Sequence, residues 1–217
     1  MGSKNSNRNR EDKKLLNNNE INIIININEN DLNKEVYFLD DIDKWDDEIK
    51  IKPEHNKLTE MNVSNTELYI NNKKYKFQKF FKFQRPGEYH IKIRLKFLIK
   101  DCGFMFFKCR QLTKIDLSNF NTANAINMER MFCCCENLIE LNLSNFNTKN
   151  VTNMRSIFFG CKKLKEIDLS SFETENVNLI LSMFNSCEIL TSIDLSNFNT
   201  KKCDRYGTNV LWLYKSN

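Results

Sequence analysis

The hydrophobic positions in the C-terminal half of the chain recur with a fixed period of 26 residues. Four similar segments, each close to LxxIDLSNFNT, align without a gap and begin at Leu112, Leu138, Leu164 and Leu190. In the first of them Ile115 and Leu117 alternate with Lys114 and Asp116, as in a strand with one buried face. The pattern therefore predicts a strand in every repeat, with its charged side chains directed outward.

The residues that join these strands have apolar side chains at helical spacing. In NVTNMRSIFFGC, the side chains of Val151, Met154, Phe158 and Cys161 lie three or four positions apart, which is typical of one face of a helix. A single repeat cannot bury its apolar side alone, whereas stacked copies build a continuous core. We therefore predict an α/β fold, a leucine-rich-repeat solenoid of about four coils, each with a strand and a short helix.

Repeats of this form resemble those of the BspA-like leucine-rich-repeat surface proteins. The resemblance rests on the 26-residue period, the leucine spacing, the SNFNT turn and the MFxxC ending, and it covers residues 101–203. It implies a curved solenoid that serves binding or adhesion without catalysis. It does not imply one particular ligand.

The N-terminal half lacks the repeat and divides into two parts. Residues 1–33 are expected to be a disordered polar tail and a low-complexity linker, with a strand over the stretch INIIININ as the alternative. Residues 34–100 predict a small β-rich module that caps the solenoid and contains a hairpin at Asn71-Asn72. At the other end, residues 204–217 depart from the repeat and predict a divergent C-terminal cap, with a truncated or frame-altered product as the alternative.

Two columns of polar side chains lie on the outward face of the predicted strands. The first column contains Asp116, Asn142, Asp168 and Asp194, and the second contains Lys114, Glu140, Glu166 and Ser192. Because neighbouring strands lie about 4.8 Å apart, stacked carboxylates repel one another and suit a basic partner. A calcium site needs about six to eight oxygens, which this open face does not provide, so no metal is expected. We predict a partner-binding face, and a merely solvated face is the alternative.

Four of the eight cysteines recur with the repeat, and this recurrence predicts core positions rather than a metal site. One register of the repeat contains Cys109, Cys135, Cys161 and Cys187. Buried cysteine behaves as a small apolar residue, which this register requires. The consecutive Cys133 and Cys134 lack the paired CxxC spacing of zinc ligands, and we expect them to be exposed, reactive thiols.

The chain begins with a polar segment that lacks the apolar core of a secretory signal. We therefore expect a cytoplasmic protein with reduced thiols, and membrane association is the alternative. The start MGSKNS fits the N-myristoylation pattern, with Gly2 as the modified residue. Basic side chains of the N-terminal module would then contact an anionic membrane surface, and the candidates are Lys76, Lys92, Arg94 and Lys96. A solvated face is the alternative for them, and nucleic acid is not expected.

The sequence contains no constellation that predicts an active site. The two histidines, His55 and His90, lie in different segments, and the chain has no P-loop, GxGxxG, HExxH or nucleophile-elbow motif. We expect no catalysis, no small-molecule substrate and no cofactor. The sequence favours a protein-interaction module, and the alternatives are a membrane-surface adaptor anchored at Gly2 and a structural member of an expanded repeat family.

Overall fold

The computed structural model describes residues 19–40, 58–199 and 201–203. Over these ranges the chain forms strands and one short 3-10 helix, Glu29–Asp31, and no α-helix occurs within them. The strands are β1 (Glu20–Ile27), β2 (Glu35–Tyr37), β3 (Thr66–Ile70), β4 (Lys73–Tyr75), β5 (Phe80–Lys82), β6 (Gly87–Leu95), β7 (Leu112–Asp116) and β8 (Glu140–Leu141). The described part is therefore a β-rich repeat fold.

Strand β1 joins the two halves of the molecule in one six-stranded sheet of order β4-β3-β6-β1-β7-β8. It pairs antiparallel with β6 of the N-terminal module on one side and with β7 of the first repeat on the other. Its buried side chains alternate along the strand and are Ile21, Ile23, Ile25 and Ile27. The linker expected over this stretch is therefore wrong, because the period-two alternation makes a strand even in a low-complexity sequence.

The rest of the N-terminal module follows the sequence pattern. Strands β3 and β4 form the predicted hairpin, and its turn residues Asn71 and Asn72 have φ values of 47° and 63°, as a type I′ turn requires. Strand β6 alternates, with Ile91 and Ile93 buried and Lys92 between them half-buried. A second sheet pairs β2 with β5. Residues 41–57 of the predicted module lie outside the described residues.

The short helix predicted for each repeat is absent from the described coils, which have a run of tight turns in its place. In the coil that contains Phe158, residues 155–160 lie in turns, and Ser156 and Gly160 have φ values of 54° and 71°. The same left-handed pair recurs every 26 residues, at Phe104 and Lys108, at Arg130 and Cys134, and at Ser182 and Ser186. A left-handed residue at every fourth position interrupts an α-helix but keeps the same apolar side chains inward.

Alternate amide groups of these turns bond to the next coil. The Phe132 N–H donates to the Ile157 carbonyl oxygen at 2.9 Å, one coil further on. The following N–H, that of Cys133, donates within its own coil to the Arg130 carbonyl oxygen at 3.1 Å. An α-helix would use both donors internally, and the coils would then have no backbone ladder on this side. Bonding between coils is thus the physical reason that turns replace the predicted helix.

Columns of identical side chains run through the stacked coils. The rings of Phe106, Phe132, Phe158 and Phe184 stack with centroids 5.3, 5.8 and 5.5 Å apart. The register of Cys109, Cys135, Cys161 and Cys187 is buried, as predicted. The Cys135 thiol donates to the Phe106 carbonyl oxygen at 3.0 Å, and the Cys161 thiol donates to that of Phe132 at 3.1 Å. These two thiols therefore also tie their coils to the previous ones.

A third column consists of threonines that lie at the corner after the strand segment. Thr122, Thr148 and Thr174 are each no more than 1% exposed. The Thr148 hydroxyl accepts from the Glu173 N–H at 2.8 Å and donates to the Glu173 carbonyl oxygen at 2.9 Å. A buried hydroxyl that both donates and accepts a hydrogen bond takes the place of two backbone bonds between coils. The T of the SNFNT segment is thus a structural residue.

Candidate interaction face

The strand-lined face of the array is bonded less regularly than the turn side. Strands β7 and β8 pair in parallel, with Lys114 opposite Glu140. The equivalent segments of the third and fourth repeats form no ladder in the described residues, and the Lys165 N–H is 3.4 Å from the Ile139 carbonyl oxygen. In the part of the chain that the structure describes, the predicted repeat strands are therefore present in the first two repeats only. All predicted face residues are exposed: Lys114, Asp116, Glu140, Asn142, Glu166, Asp168 and Asp194.

The first polar column of this face also builds the turn that follows each strand segment. Side-chain oxygens of Asp116, Asn142, Asp168 and Asp194 accept the N–H of the serine two residues later, at 2.8 to 3.0 Å. Such a bond is an Asx turn, for which Asp and Asn are suited. Hydrogen bonds from the Ser170 backbone and side chain lower the pKa of Asp168, and Ser196 lowers the pKa of Asp194 in the same way. The sequence reading of this column missed its structural role.

The side chains of the second polar column form no Asx turns in the described residues. Lys114, Glu140 and Glu166 are exposed, and none of the ion pairs between described residues includes them. Lys114 and Glu140 face the same side of neighbouring strands, so the charge changes sign along the column. These side chains can therefore contact a partner without breaking a bond that the fold needs.

A line of three depressions follows the strand-lined face. The first, of about 520 Å³, includes Lys114 and Glu140 in its lining. The second, also of about 520 Å³, shares Glu140 with the first and extends to Asp168. The third, of about 140 Å³, shares Asp168 with the second and reaches Asp194. The predicted face residues are thus brought together along one groove.

The N-terminal module also contributes to the groove, which the sequence reading did not predict. Asn22 and Ile24 of β1 and His90 and Lys92 of β6 line the first depression. Ile24 is half-buried because it lies on the face of β1 opposite the buried isoleucines. The alternation of isoleucine and asparagine in INIIININ already indicated a strand here. Once that stretch is read as a strand, its outward residues fall beside those of β7.

The basic residues of the module are largely engaged with carboxylates. Arg94 contacts Glu20 at 2.6 Å and Glu67 at 3.5 Å, Lys96 contacts Glu67 at 3.0 Å, and Lys92 contacts Glu20 at 3.7 Å. Hydrogen bonds from Lys74 and then Lys96 lower the pKa of Glu67 to about 2. Two carboxylates thus offset part of the positive charge predicted to face an anionic surface. Lys76 is exposed and lies just after β4.

Some predictions concern residues outside the described ranges. Gly2, the predicted lipidation site, and residues 204–217, the predicted C-terminal cap, are among them. Within the described ranges, no helix is sufficiently long and apolar to span a membrane.

A protein-family model matches residues 100–211, just over half of the 217-residue chain. The family is described as a Mycoplasma protein of unknown function, DUF285. No curated protein and no solved structure matches the chain. The matched segment begins just before the first turn ladder and contains every residue of the two polar columns.

Proposed function

The chain belongs to the DUF285 family, and from this premise we propose that it is a non-catalytic interaction module with a BspA-like leucine-rich-repeat solenoid. The partner is a protein, which binds in the groove of the strand-lined face. The family is known in BspA-like repeat proteins, and the described coils repeat every 26 residues, as that resemblance implies. We further propose that it acts in the cytoplasm, where its eight free cysteines remain reduced.

The observation that carries this proposal is the second polar column. Its charged side chains line the groove, are exposed, and take no part in the bonds that hold the coils together. Recognition surfaces commonly lie on the regular face of a solenoid, because each stacked repeat adds one row of side chains. The groove also continues onto β1 and β6, so a partner that binds there contacts both the module and the repeats.

The charge of the groove favours a basic partner. Five carboxylates line the groove, from Asp116, Glu140, Glu166, Asp168 and Asp194, against two lysines, Lys114 and Lys92 of β6. Complementary charge accelerates association and excludes like-charged proteins. We therefore expect binding that weakens with salt, since exposed charges are screened over about 8 Å at physiological ionic strength.

Carbodiimide cross-linking tests the proposal, since it joins a carboxylate to an amine within direct contact. The full-length chain is mixed at low salt with lysate from its native cell, cross-linked, and analysed by peptide mass spectrometry. We expect Glu140 and Glu166 to be joined to lysines of one recurrent partner. With that partner purified, the double variant Glu140→Lys/Glu166→Lys should bind at least about tenfold more weakly.

A matched control carries the same charge change elsewhere on the coils. Glu173 and Glu175 are exposed, and neither lines the groove. The variant Glu173→Lys/Glu175→Lys should bind the partner with unchanged affinity. Equal binding by the groove variant and the wild type would overturn the assignment of this face. Equal weakening of binding in both variants would show that the loss of affinity is a nonspecific effect of charge.

A membrane-surface adaptor remains the second prediction from the sequence, and it rests on Gly2. The contacts of Lys92, Arg94 and Lys96 with Glu20 and Glu67 give it less support, because those cations are already paired. Flotation with anionic vesicles separates the two functions: equal flotation of the wild type and Gly2→Ala would remove the lipid anchor. Stronger flotation of the wild type would favour the adaptor.

A further inference from the structure

The second coil carries two adjacent cysteines where the other coils have none. The residues equivalent to Cys133 and Cys134 are Phe107 and Lys108, Phe159 and Gly160, and Asn185 and Ser186. Both cysteines lie in the turns on the turn side of the array. Cys133 packs in a small apolar cluster with Phe104 and Phe107, separate from the main core. The pair is therefore not required by the repeat.

The two sulfur atoms are close, and they differ in exposure. The Cys133 Sγ and Cys134 Sγ atoms lie 3.6 Å apart. Cys133 is 1% exposed, contrary to the prediction of an exposed thiol, whereas Cys134 is half-buried. Cys134 has a φ of 61°. One partly exposed thiol thus lies against one buried thiol.

The surroundings make the partly exposed thiol the more acidic of the two. The hydrogen bond with Cys133 lowers the pKa of Cys134, and the positive charges of Lys108 and Arg110 also lower it, against burial and the negative charge of Glu136, which raise it. The hydrogen bond with Cys134, together with burial, raises the pKa of Cys133. In the main core, burial raises the pKa of Cys135 and Cys161 as well. Since the thiolate is the nucleophile, Cys134 differs in reactivity from these buried cysteines.

We propose that Cys134 and Cys133 form a peroxide-sensitive dithiol, in which Cys134 is oxidised first and Cys133 resolves it. Redox-sensing cysteines combine an accessible, acidic thiol with a resolving thiol nearby, and this geometry has both. The ligand class is a hydroperoxide, and the product is a disulfide between adjacent residues. In a reducing compartment such a bond is transient, as expected of a sensor rather than of a structural disulfide.

The reaction proceeds in two balanced steps. The Cys134 thiolate attacks one oxygen of hydrogen peroxide, the O–O bond breaks, and hydroxide leaves and takes up a proton to become water. Cys134 is then a sulfenic acid. The Cys133 thiol gives up its proton, its sulfur attacks the Cys134 sulfur, the S–O bond breaks, and the released hydroxide becomes the second water. Two thiols are oxidised and one peroxide is reduced to two waters.

Oxidation would act on the ladder that holds the coils together. The Cys133 carbonyl oxygen accepts from the Lys108 N–H at 2.9 Å, and the Cys134 N–H donates to the Phe159 carbonyl oxygen at 2.7 Å. A disulfide brings its sulfurs to about 2.0 Å, which is shorter than the present separation. The backbone between the cysteines must therefore shift, and with it the bonds to the first and third coils. We expect faster hydrogen exchange at these amides after oxidation.

The test uses the full-length reduced chain, hydrogen peroxide as the oxidant, and peptide mass spectrometry. Under limiting peroxide, the wild type should lose two hydrogens from the peptide that contains both cysteines. Cys133→Ala should stop at the sulfenic acid, which dimedone traps on Cys134. Cys134→Ser should slow the loss of thiols at least about tenfold. Serine is a suitable replacement because Ser186 adopts a φ of 62° at the equivalent position.

Circular dichroism of both variants checks that they remain folded. The variant Cys203→Ser removes the thiol of the other half-buried cysteine and is the control for the loss of a partly exposed thiol. Cys203→Ser should leave the oxidation rate unchanged. An unchanged rate in Cys134→Ser would overturn the proposal, as would wild-type oxidation to disulfide-linked dimers instead of the internal bond. These outcomes do not depend on whether the strand-lined face binds a partner.

Discussion

The turn side and the strand side of the repeat array arise from the same 26-residue unit but are held together differently. On the turn side, alternate N–H groups bond to the next coil, and Phe and Cys columns fill the space behind them. On the strand side, a parallel ladder joins only the first two repeats within the described residues, and charged side chains cover it. Most of the bonds that hold the coils together thus lie on one side of the array, and the exposed charges of the second polar column lie on the other.

This difference indicates where the sequence can vary without loss of the fold. A residue whose N–H, hydroxyl or ring is shared between coils affects two repeats at once, because each coil contacts its neighbours only. A charged residue of the second polar column affects the groove alone. The following changes test that separation, from the largest expected effect to the smallest.

Loss of a stacked ring should produce the largest effect. Phe132 is fully buried between Phe106 and Phe158, so Phe132→Ala should lower the free energy of unfolding by about 3–5 kcal/mol. Urea denaturation followed by circular dichroism measures this change. Ile167→Ala, on the strand side and half-buried, is the control and should cost less. Equal losses in the two variants would remove the contrast between the sides.

Removal of the corner hydroxyl should come next. Thr148→Val keeps the shape of the side chain but leaves the Glu173 N–H and carbonyl without their buried partner. We expect a loss of about 1–3 kcal/mol, measured as a lower urea midpoint. Thr191→Val, at an exposed position, should stay within about 0.5 kcal/mol of the wild type. A neutral result for Thr148→Val would show that the threonine column does not hold the coils.

A methyl group at the left-handed glycine should have an intermediate effect. Gly160 has a φ of 71°, and a Cβ atom there would lie 3.3 Å from the Cys134 Sγ atom. Gly160→Ala should therefore cost roughly 1–2 kcal/mol from backbone strain alone. The same substitution in a Cys134→Ala background separates the two causes: a loss that persists comes from φ, and a loss that vanishes comes from the contact.

Acid should produce the smallest effect, on the strand-side turns. The Ser170 and Ser196 hydrogen bonds hold the pKa of Asp168 and Asp194 below the usual value of 3.8. A carboxylate whose pKa is lower in the folded state stabilises the fold above its unfolded pKa, and this contribution is lost as the pH falls through the folded pKa. The urea midpoint should therefore decrease below about pH 4.

The matched variant for the acid experiment is supplied by the chain itself. Asn142 occupies the same column and accepts the Ser144 N–H at 3.0 Å without a titrating group. Asp168→Asn/Asp194→Asn should therefore keep both turns and show a smaller decrease in acid than the wild type. An identical acid response in the double variant would assign the effect to other carboxylates, of which Glu67, with a pKa of about 2, is the first candidate.

Most inward positions of the repeats were predictable, and the bonds of the polar side chains were not. Alternation correctly placed Ile115 and Leu117 inside, and the period correctly placed the Cys register in the core. The same pattern predicts only that Asp168 points outward, although its carboxylate also accepts a hydrogen bond from the Ser170 N–H. A turn bond of this kind depends on local backbone geometry, which hydrophobic spacing does not report.

By itself the sequence determined the number of residues per coil and which side chains face the core, because stacked copies must repeat their contacts at the period of the chain. Only the tertiary structure decided between helix and turns, since apolar residues three or four apart suit both, and the choice depends on amide donors that the neighbouring coil accepts. It likewise decided the place of β1, whose partners β6 and β7 lie far along the chain. Pairing between distant strands sets the groove, and no local pattern contains it.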